Sequence, residues 1–170
     1  MRTLLPDPPP AEFQQLLDQR RRWGADTRDE VWEGVLHMNP APHRRHANLQ
    51  AQVLERLGPL ARQRGLTAVG EFNLGESGDY RVPDAGLHRP GPDALYNPTA
   101  ALVVEILPSG DDSYDKLPFY AAHHVDELLI IDPDTQTISW RGCRDGEYQP
   151  IADSGLIDLG AARLAIDWPA

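Results

Sequence analysis

Residues 100–107 read Ala-Ala-Leu-Val-Val-Glu-Ile-Leu, and Glu105 is the one ionisable residue among apolar neighbours. The length of the run and its Val/Ile content predict a buried β-strand. An ionised carboxylate in such a strand is costly unless it is paired, hydrogen-bonded or bound to a cation. The fold must therefore bring a cation or hydrogen-bond donors to Glu105, and the flanking sequence holds a second carboxylate and a lysine. Asp84 lies earlier, in a strand-like piece from Tyr80 to Leu87, and Lys116 lies later, in a helical stretch. Two carboxylates and a lysine on adjacent elements suit a divalent metal and proton handling.

Composition adds weight to Lys116. The chain has 16 Lys plus Arg, and only one of them, Lys116, is lysine. A lysine ammonium is a compact point charge whose pKa can be lowered, which a guanidinium cannot match.

At 170 residues, with 41% hydrophobic and 25% charged residues, the chain fits one soluble globular domain. Met1–Pro10 is a proline-rich lead-in expected to be flexible, and residues 11–170 form the domain. No apolar run reaches the ~20 residues that span a bilayer, and the start lacks signal-peptide form. A single cysteine, Cys143, excludes an intramolecular disulfide framework and a cysteine-rich zinc site. A reducing, cytoplasmic setting is expected.

The net charge of −10 argues against a general nucleic-acid coat. The charge is unevenly spread: residues 1–75 carry ten basic and nine acidic side chains, residues 76–170 six and seventeen. Polyanion contact is therefore expected from the first half, through Arg44 and Arg45. The acidic second half suits cation capture, or simply a solvated surface.

Periodicity predicts an amphipathic helix over Ala11–Trp23, its terminal Arg20-Arg21-Arg22 suited to the helix dipole or to substrate. Glu30–Met38 alternates around a Gly turn as a hairpin. Leu49, Val53 and Leu57 mark a helix from His43 to about Leu57, with a kinked continuation past Gly58-Pro59 to Arg64 as the alternative. Strands are predicted at Thr67–Leu74, which contains Glu71, at Tyr80–Leu87, and at the Glu105 run. Asp111-Asp112-Ser113 opens a helix holding Lys116, Pro118 and Tyr120, the last on the same face as Lys116. Strands at Glu127–Asp132, Gln136–Arg141, Glu147–Ile151 and Arg163–Ile166 complete a mixed α/β sheet. No glycine-rich phosphate loop, His/Cys zinc pattern or internal repeat is present.

Several of these pieces, in this order, resemble the Uma family of bacterial restriction-endonuclease-like proteins, in the PD-(D/E)XK nuclease-like superfamily. The likeness runs from about Glu30 to Arg141. It rests on Glu30-Val31-Trp32-Glu33-Gly34, Pro40-Ala41-Pro42 with His46, Pro83-Asp84, Val104-Glu105-Ile106-Leu107 with Ser109, Lys116 with Tyr120, and Leu129-Ile130-Ile131-Asp132-Pro133.

The resemblance implies an α/β (α+β) fold: a single domain with a central mixed β-sheet flanked by helices, restriction-endonuclease-like and often dimeric. It implies a Mg²⁺ (or Mn²⁺) site held by Asp84 and Glu105, with Lys116 as the catalytic lysine. The superfamily lysine usually stands two residues after the second acid, where this chain has Leu107; the family is expected to supply it from the next helix. His46, Glu30, Glu71 and Tyr120 are accessory candidates. The family commonly reads Ser-Pro after the strand, whereas this chain has Pro108-Ser109. It commonly has Tyr-Trp before the later strand end, where this chain has Leu128-Leu129.

Two functions follow. One is a metal-dependent endonuclease acting on DNA. The alternative is a catalytically inactive nuclease-fold module binding nucleic acid or a protein partner, which the net charge and the Pro108-Ser109 order favour. A third reading makes Glu105 an internal structural pair.

Overall fold

The structure, a computed structural model, describes residues 10–107 and 113–168. The lead-in expected at Met1–Pro10 lies almost wholly outside them, as do Pro108-Ser109 and Asp111-Asp112.

Three helices and eleven strands make up the described chain. Helix α1 spans Ala11–Arg22, β1 Glu30–Trp32, β2 Val35–His37 and α2 Arg44–Gln63. Strands β3 (Thr67–Val69), β4 (Asn73–Glu76), β5 (Asp79–Arg81), β6 (Ala85–His88), β7 (Tyr96–Asn97) and β8 (Leu102–Ile106) follow. A 3₁₀ turn, Ser113–Lys116, runs into α3 (Leu117–Ala122), and β9 (Glu127–Asp132), β10 (Thr137–Arg144) and β11 (Glu147–Pro150) come last.

The strands form two mixed sheets rather than the single sheet expected. One has the order β2-β1-β5-β4-β7 and the other β11-β10-β9-β8-β6-β3. The split is made at two places where the sequence reads as continuous strand. Thr67–Leu74 bends at Gly70–Phe72, so β3 and β4 enter different sheets. Tyr80–Leu87 breaks at Val82–Asp84, where Pro83 has no N–H for a ladder and restricts the residue before it. Asp84 therefore sits at the crossing between sheets, not within a strand.

The larger sheet carries the core. Strand β8 runs parallel to β9 and antiparallel to β6. All five of its residues are buried, as a central strand covered on both faces requires. Leu102, Val104 and Ile106 join one apolar cluster with Leu49, Val53, Leu57 and Ala61 of α2. Val103 joins a second cluster with Tyr120 of α3 and Leu128. The alternation of the strand puts Glu105 on the Val103 side, towards α3. Gly86 belongs to this packing: a Cβ there would lie 2.6 Å from the Phe72 ring and 2.9 Å from the Leu102 carbonyl oxygen.

Helix α2 is unbroken through Pro59. Helix α1, expected to be amphipathic, buries no residue, and Trp23 beyond it is 73% exposed. What ties it to the domain is polar: Arg20 donates two hydrogen bonds to the buried Asp29, at 2.6 and 3.1 Å. Arg163–Ile166 is not a strand: Arg163 ends a short 3₁₀ turn, Ala161–Arg163, and residues 164–166 are irregular. Among the described residues no helix is long and apolar enough to cross a membrane.

Candidate active site

Glu105 is 5% exposed. The hydrogen bonds it makes among the described residues converge on one oxygen. Oε1 accepts Lys116 Nζ at 3.3 Å and a short bond from the Tyr120 hydroxyl. Lys116 closes the 3₁₀ turn, and Tyr120 is one turn further on, so their four-residue spacing aims both at the same acid. Burial pushes the Glu105 carboxyl up to about 8, and the Asp84 and Glu30 charges add to the rise. The attraction of Lys116 opposes the shift without cancelling it.

Lys116 lies between two carboxylates. Its Nζ donates to Glu30 Oε1 at 2.9 Å as well as to Glu105. Burial alone would pull the ammonium down, but Glu105 and Glu30 outweigh it and hold Lys116 above the ordinary lysine range. Glu30 is itself locked: Oε1 also accepts the Val82 N–H at 2.8 Å, and Oε2 accepts Trp32 Nε1 at 2.7 Å. The Arg81 guanidinium lies between the Trp32 and Phe119 rings, 4.5 and 4.0 Å from their centroids. That cation–π contact joins β1, which carries Glu30, to α3.

Asp84 closes the other side. Its backbone N–H donates to the Val104 carbonyl at 3.1 Å, and Oδ2 accepts the Ile106 N–H at 2.8 Å. Its side chain thus substitutes for a strand at the edge of β8 and fixes Asp84 beside Glu105. Oδ1 meets His46 Nε2 at 2.7 Å and Arg28 Nη2 at 3.0 Å. Gln50, one turn after His46 on α2, donates to the Asp84 carbonyl.

Asp84, Glu105, Lys116, Glu30 and His46 line one cavity of about 640 Å³, with Arg28 and Arg45 also on its wall. Tyr120 reaches it through Glu105. Glu71, predicted as an accessory acid, instead pairs with Arg28 at 2.8 Å and touches the site through that guanidinium. Arg45 donates to Asp134 Oδ1 at 3.2 Å and to the Pro133 carbonyl, while Arg44 is exposed at the start of α2. Arg28 is the residue that sequence reasoning missed. It lies in an irregular segment with no periodic position to mark it.

The donor set fits a hard divalent cation. Four carboxyl groups (Asp84, Glu105, Glu30 and Glu71) face two permanent cations, Arg28 and Lys116. Among the described residues no group of three or more His, Cys, Asp or Glu side chains is arranged to hold a metal. Mg²⁺ does not need one, because it is commonly held by one or two carboxylates plus waters and substrate phosphate.

Comparison with known proteins bears on the fold and the family. A putative nuclease belonging to DUF820 from Anabaena variabilis ATCC 29413 shares the fold: TM-score 0.64 at 20% identity, over 80% of this chain and 88% of that one. A cryo-EM structure of a DrdV–DNA complex aligns over 64% of this chain and 10% of that chain, at 18% identity and TM-score 0.41, too remote to bear on function. A search of curated proteins finds no match. The model of the Uma2 family, described as "Putative restriction endonuclease", matches residues 10–159. With its nuclease-like α/β fold, the chain belongs to the Uma2 family.

Proposed function

We propose that this chain is a Mg²⁺- or Mn²⁺-dependent endonuclease that hydrolyses DNA phosphodiester bonds in the cavity bounded by β1, α2, β8 and Lys116. The observation that carries the reading is convergence: Asp84, Glu105 and the lone Lys116, far apart in sequence, line the same cavity. Asp84 and Glu105 hold the ion. When bound, the ion polarises the scissile phosphate and lowers the pKa of a water.

The remaining work falls to the protein. Lys116, kept charged by Glu105 and Glu30, acts as a fixed cation that offsets charge developing on the phosphate. Its raised pKa argues for this role over that of a general base. Glu30 and Tyr120 position Lys116 and Glu105, and Trp32 positions Glu30. His46 orients Asp84. Arg45 stands at the cavity wall, where a nucleic-acid backbone would pass. The homodimer that the resemblance implies belongs to the same proposal and is read by sedimentation.

The test is cleavage of plasmid DNA with Mg²⁺ or Mn²⁺, comparing the wild type with Lys116→Met and Glu105→Gln. Both variants are expected to lose at least about a hundredfold in rate. Equal cleavage by Glu105→Gln would contradict the reading.

A second reading is favoured by the closed Glu30–Lys116–Glu105–Tyr120 network, in which the Lys116 side chain is 11% exposed. In it the cluster is an internal ion pair and the domain an inactive module binding nucleic acid or a protein. DNA binding without cleavage, unaffected by divalent metal, would favour that reading.

A further inference from the structure

We propose that Arg28 is an internal cation gate on Asp84, which must release Oδ1 for a divalent ion to bind, and that Glu71 receives it. The proposal rests on the reading of Asp84 and Glu105 as metal ligands.

The two oxygens of Asp84 are not equivalent. Oδ2 is committed to the Ile106 N–H in the sheet, at 2.8 Å. Oδ1 is the oxygen left for an ion, yet it already meets Arg28 Nη2 at 3.0 Å and His46 Nε2 at 2.7 Å. An ion bound to a carboxylate oxygen at ~2.1 Å would stand next to the guanidinium on that oxygen. Two like charges so close in a buried site repel strongly. The ion and the guanidinium therefore exclude each other.

Arg28 has somewhere else to go. Its Nη1 is 2.8 Å from Glu71 Oε1. That contact is an ion pair rather than an aligned hydrogen bond, since Nη1 is buried with no hydrogen-bond partner among the described residues. A better alignment on Glu71 is open to it once Asp84 is given up. Glu71 is the more exposed of the two carboxylates, with 29% of its side chain accessible against 5% for Asp84.

The backbone at Arg28 is pinned while its side chain is long. Asn39 Nδ2 donates to the Arg28 carbonyl at 2.8 Å, and the next residue, Asp29, is clamped by Arg20. Movement is thereby confined to the Arg28 side chain. Between loadings, the guanidinium supplies the counter-charge that Asp84 needs when buried.

The gate predicts effects of opposite sign at two neighbouring residues, read by Mn²⁺ calorimetry without any activity assay. Arg28→Met is expected to bind Mn²⁺ about tenfold more tightly, since it removes a charge-assisted competitor for Oδ1. Glu71→Gln is expected to bind about threefold more weakly, because Arg28 is then left on Asp84. In the Arg28→Met background, Glu71→Gln should have no effect.

That last comparison separates a gate from simple through-space attraction, in which Glu71→Gln weakens binding equally in both backgrounds. Arg28→Gln serves as a second variant, and circular dichroism checks the fold of each. If wild type binds Mn²⁺ and the folded Arg28 variants bind no more tightly, the gate is overturned while the metal site stands. If neither wild type nor the Arg28 variants bind Mn²⁺, even with a non-hydrolysable DNA analogue present, the metal reading itself fails and takes the gate with it. Binding by the Arg28 variants alone would be its strongest support.

Discussion

Two buried glutamates stand on neighbouring parallel strands, and they have different surroundings. Glu105 on β8 and Glu127 on β9 are each 5% exposed. Glu127 is met by neutral donors on both oxygens: Oε1 accepts the Gly155 N–H at 2.7 Å, and Oε2 accepts Ser154 Oγ at 2.6 Å and Trp140 Nε1 at 2.8 Å. It ties β9, β10 and the C-terminal segment together, and among these contacts there is no cation. Glu105 instead has Lys116 and Tyr120 on a single oxygen, two further carboxylates nearby, and a cavity in front of it. Burial of an acid in a strand is therefore not what marks a site. What marks it is a carboxylate whose surroundings leave charge unbalanced beside an opening.

Substitution should separate the two most widely in catalysis. Glu105→Ala is expected to lower DNA cleavage by more than about a hundredfold, while the folded fraction of Glu127→Ala keeps its rate, measured per molecule of folded protein. Stability should reverse the order. Glu127→Ala strands the buried Trp140 Nε1 and removes two part-buried hydrogen bonds, from Ser154 and Gly155, and is expected to cost about 2 kcal/mol in urea unfolding. Glu105→Gln should cost less, because Lys116 keeps Glu30 as its partner.

The pH response sharpens the contrast. Glu105 titrates at about 8 in the fold against an ordinary 4.5. Between those values the native state holds a proton that the unfolded state has released, so stability falls as pH rises through this window. The wild type should show that decline, and Glu105→Gln should flatten it, in denaturant melts from pH 5 to 8. Mn²⁺ affinity should rise over the same range, since the ion displaces the proton. The smallest effect is expected from Trp32→Phe, which removes one hydrogen bond to Glu30. It should cost about 1 kcal/mol, without loss of metal binding.

The elements carried by local pattern were legible in the sequence. Leu49, Val53 and Leu57 marked α2, the apolar run marked β8, and Leu128–Ile131 marked β9, because periodicity and burial agree there. The Glu30–His37 hairpin was legible from its turn. The division into two sheets was not, because Gly70–Phe72 and Val82–Asp84 interrupt pairing without interrupting the apolar pattern. Helix α1 shows the converse: its amphipathic spacing was present, but its apolar positions Phe13 and Leu17 are only half-buried.

For the site, the odd Glu105 and the lone Lys116 could be picked out from composition and context. Glu30 entered only through the resemblance. Its burial depends on Trp32, Val82 and Lys116 meeting in space. Arg28 had no signal at all, since an arginine in an irregular segment looks the same whether it faces water or an acid. Glu71 was noticed as an acid, but its contact with the site runs through that unnoticed arginine.

The most direct test is Mn²⁺ calorimetry on wild type, Arg28→Met, Asp84→Ala, Glu105→Ala and Glu127→Gln, repeated with a non-hydrolysable DNA analogue to supply phosphate. Wild type and Glu127→Gln should bind alike, and Asp84→Ala and Glu105→Ala should not bind. Undiminished binding in Asp84→Ala or Glu105→Ala, or no binding by either wild type or Arg28→Met even with DNA present, would contradict this.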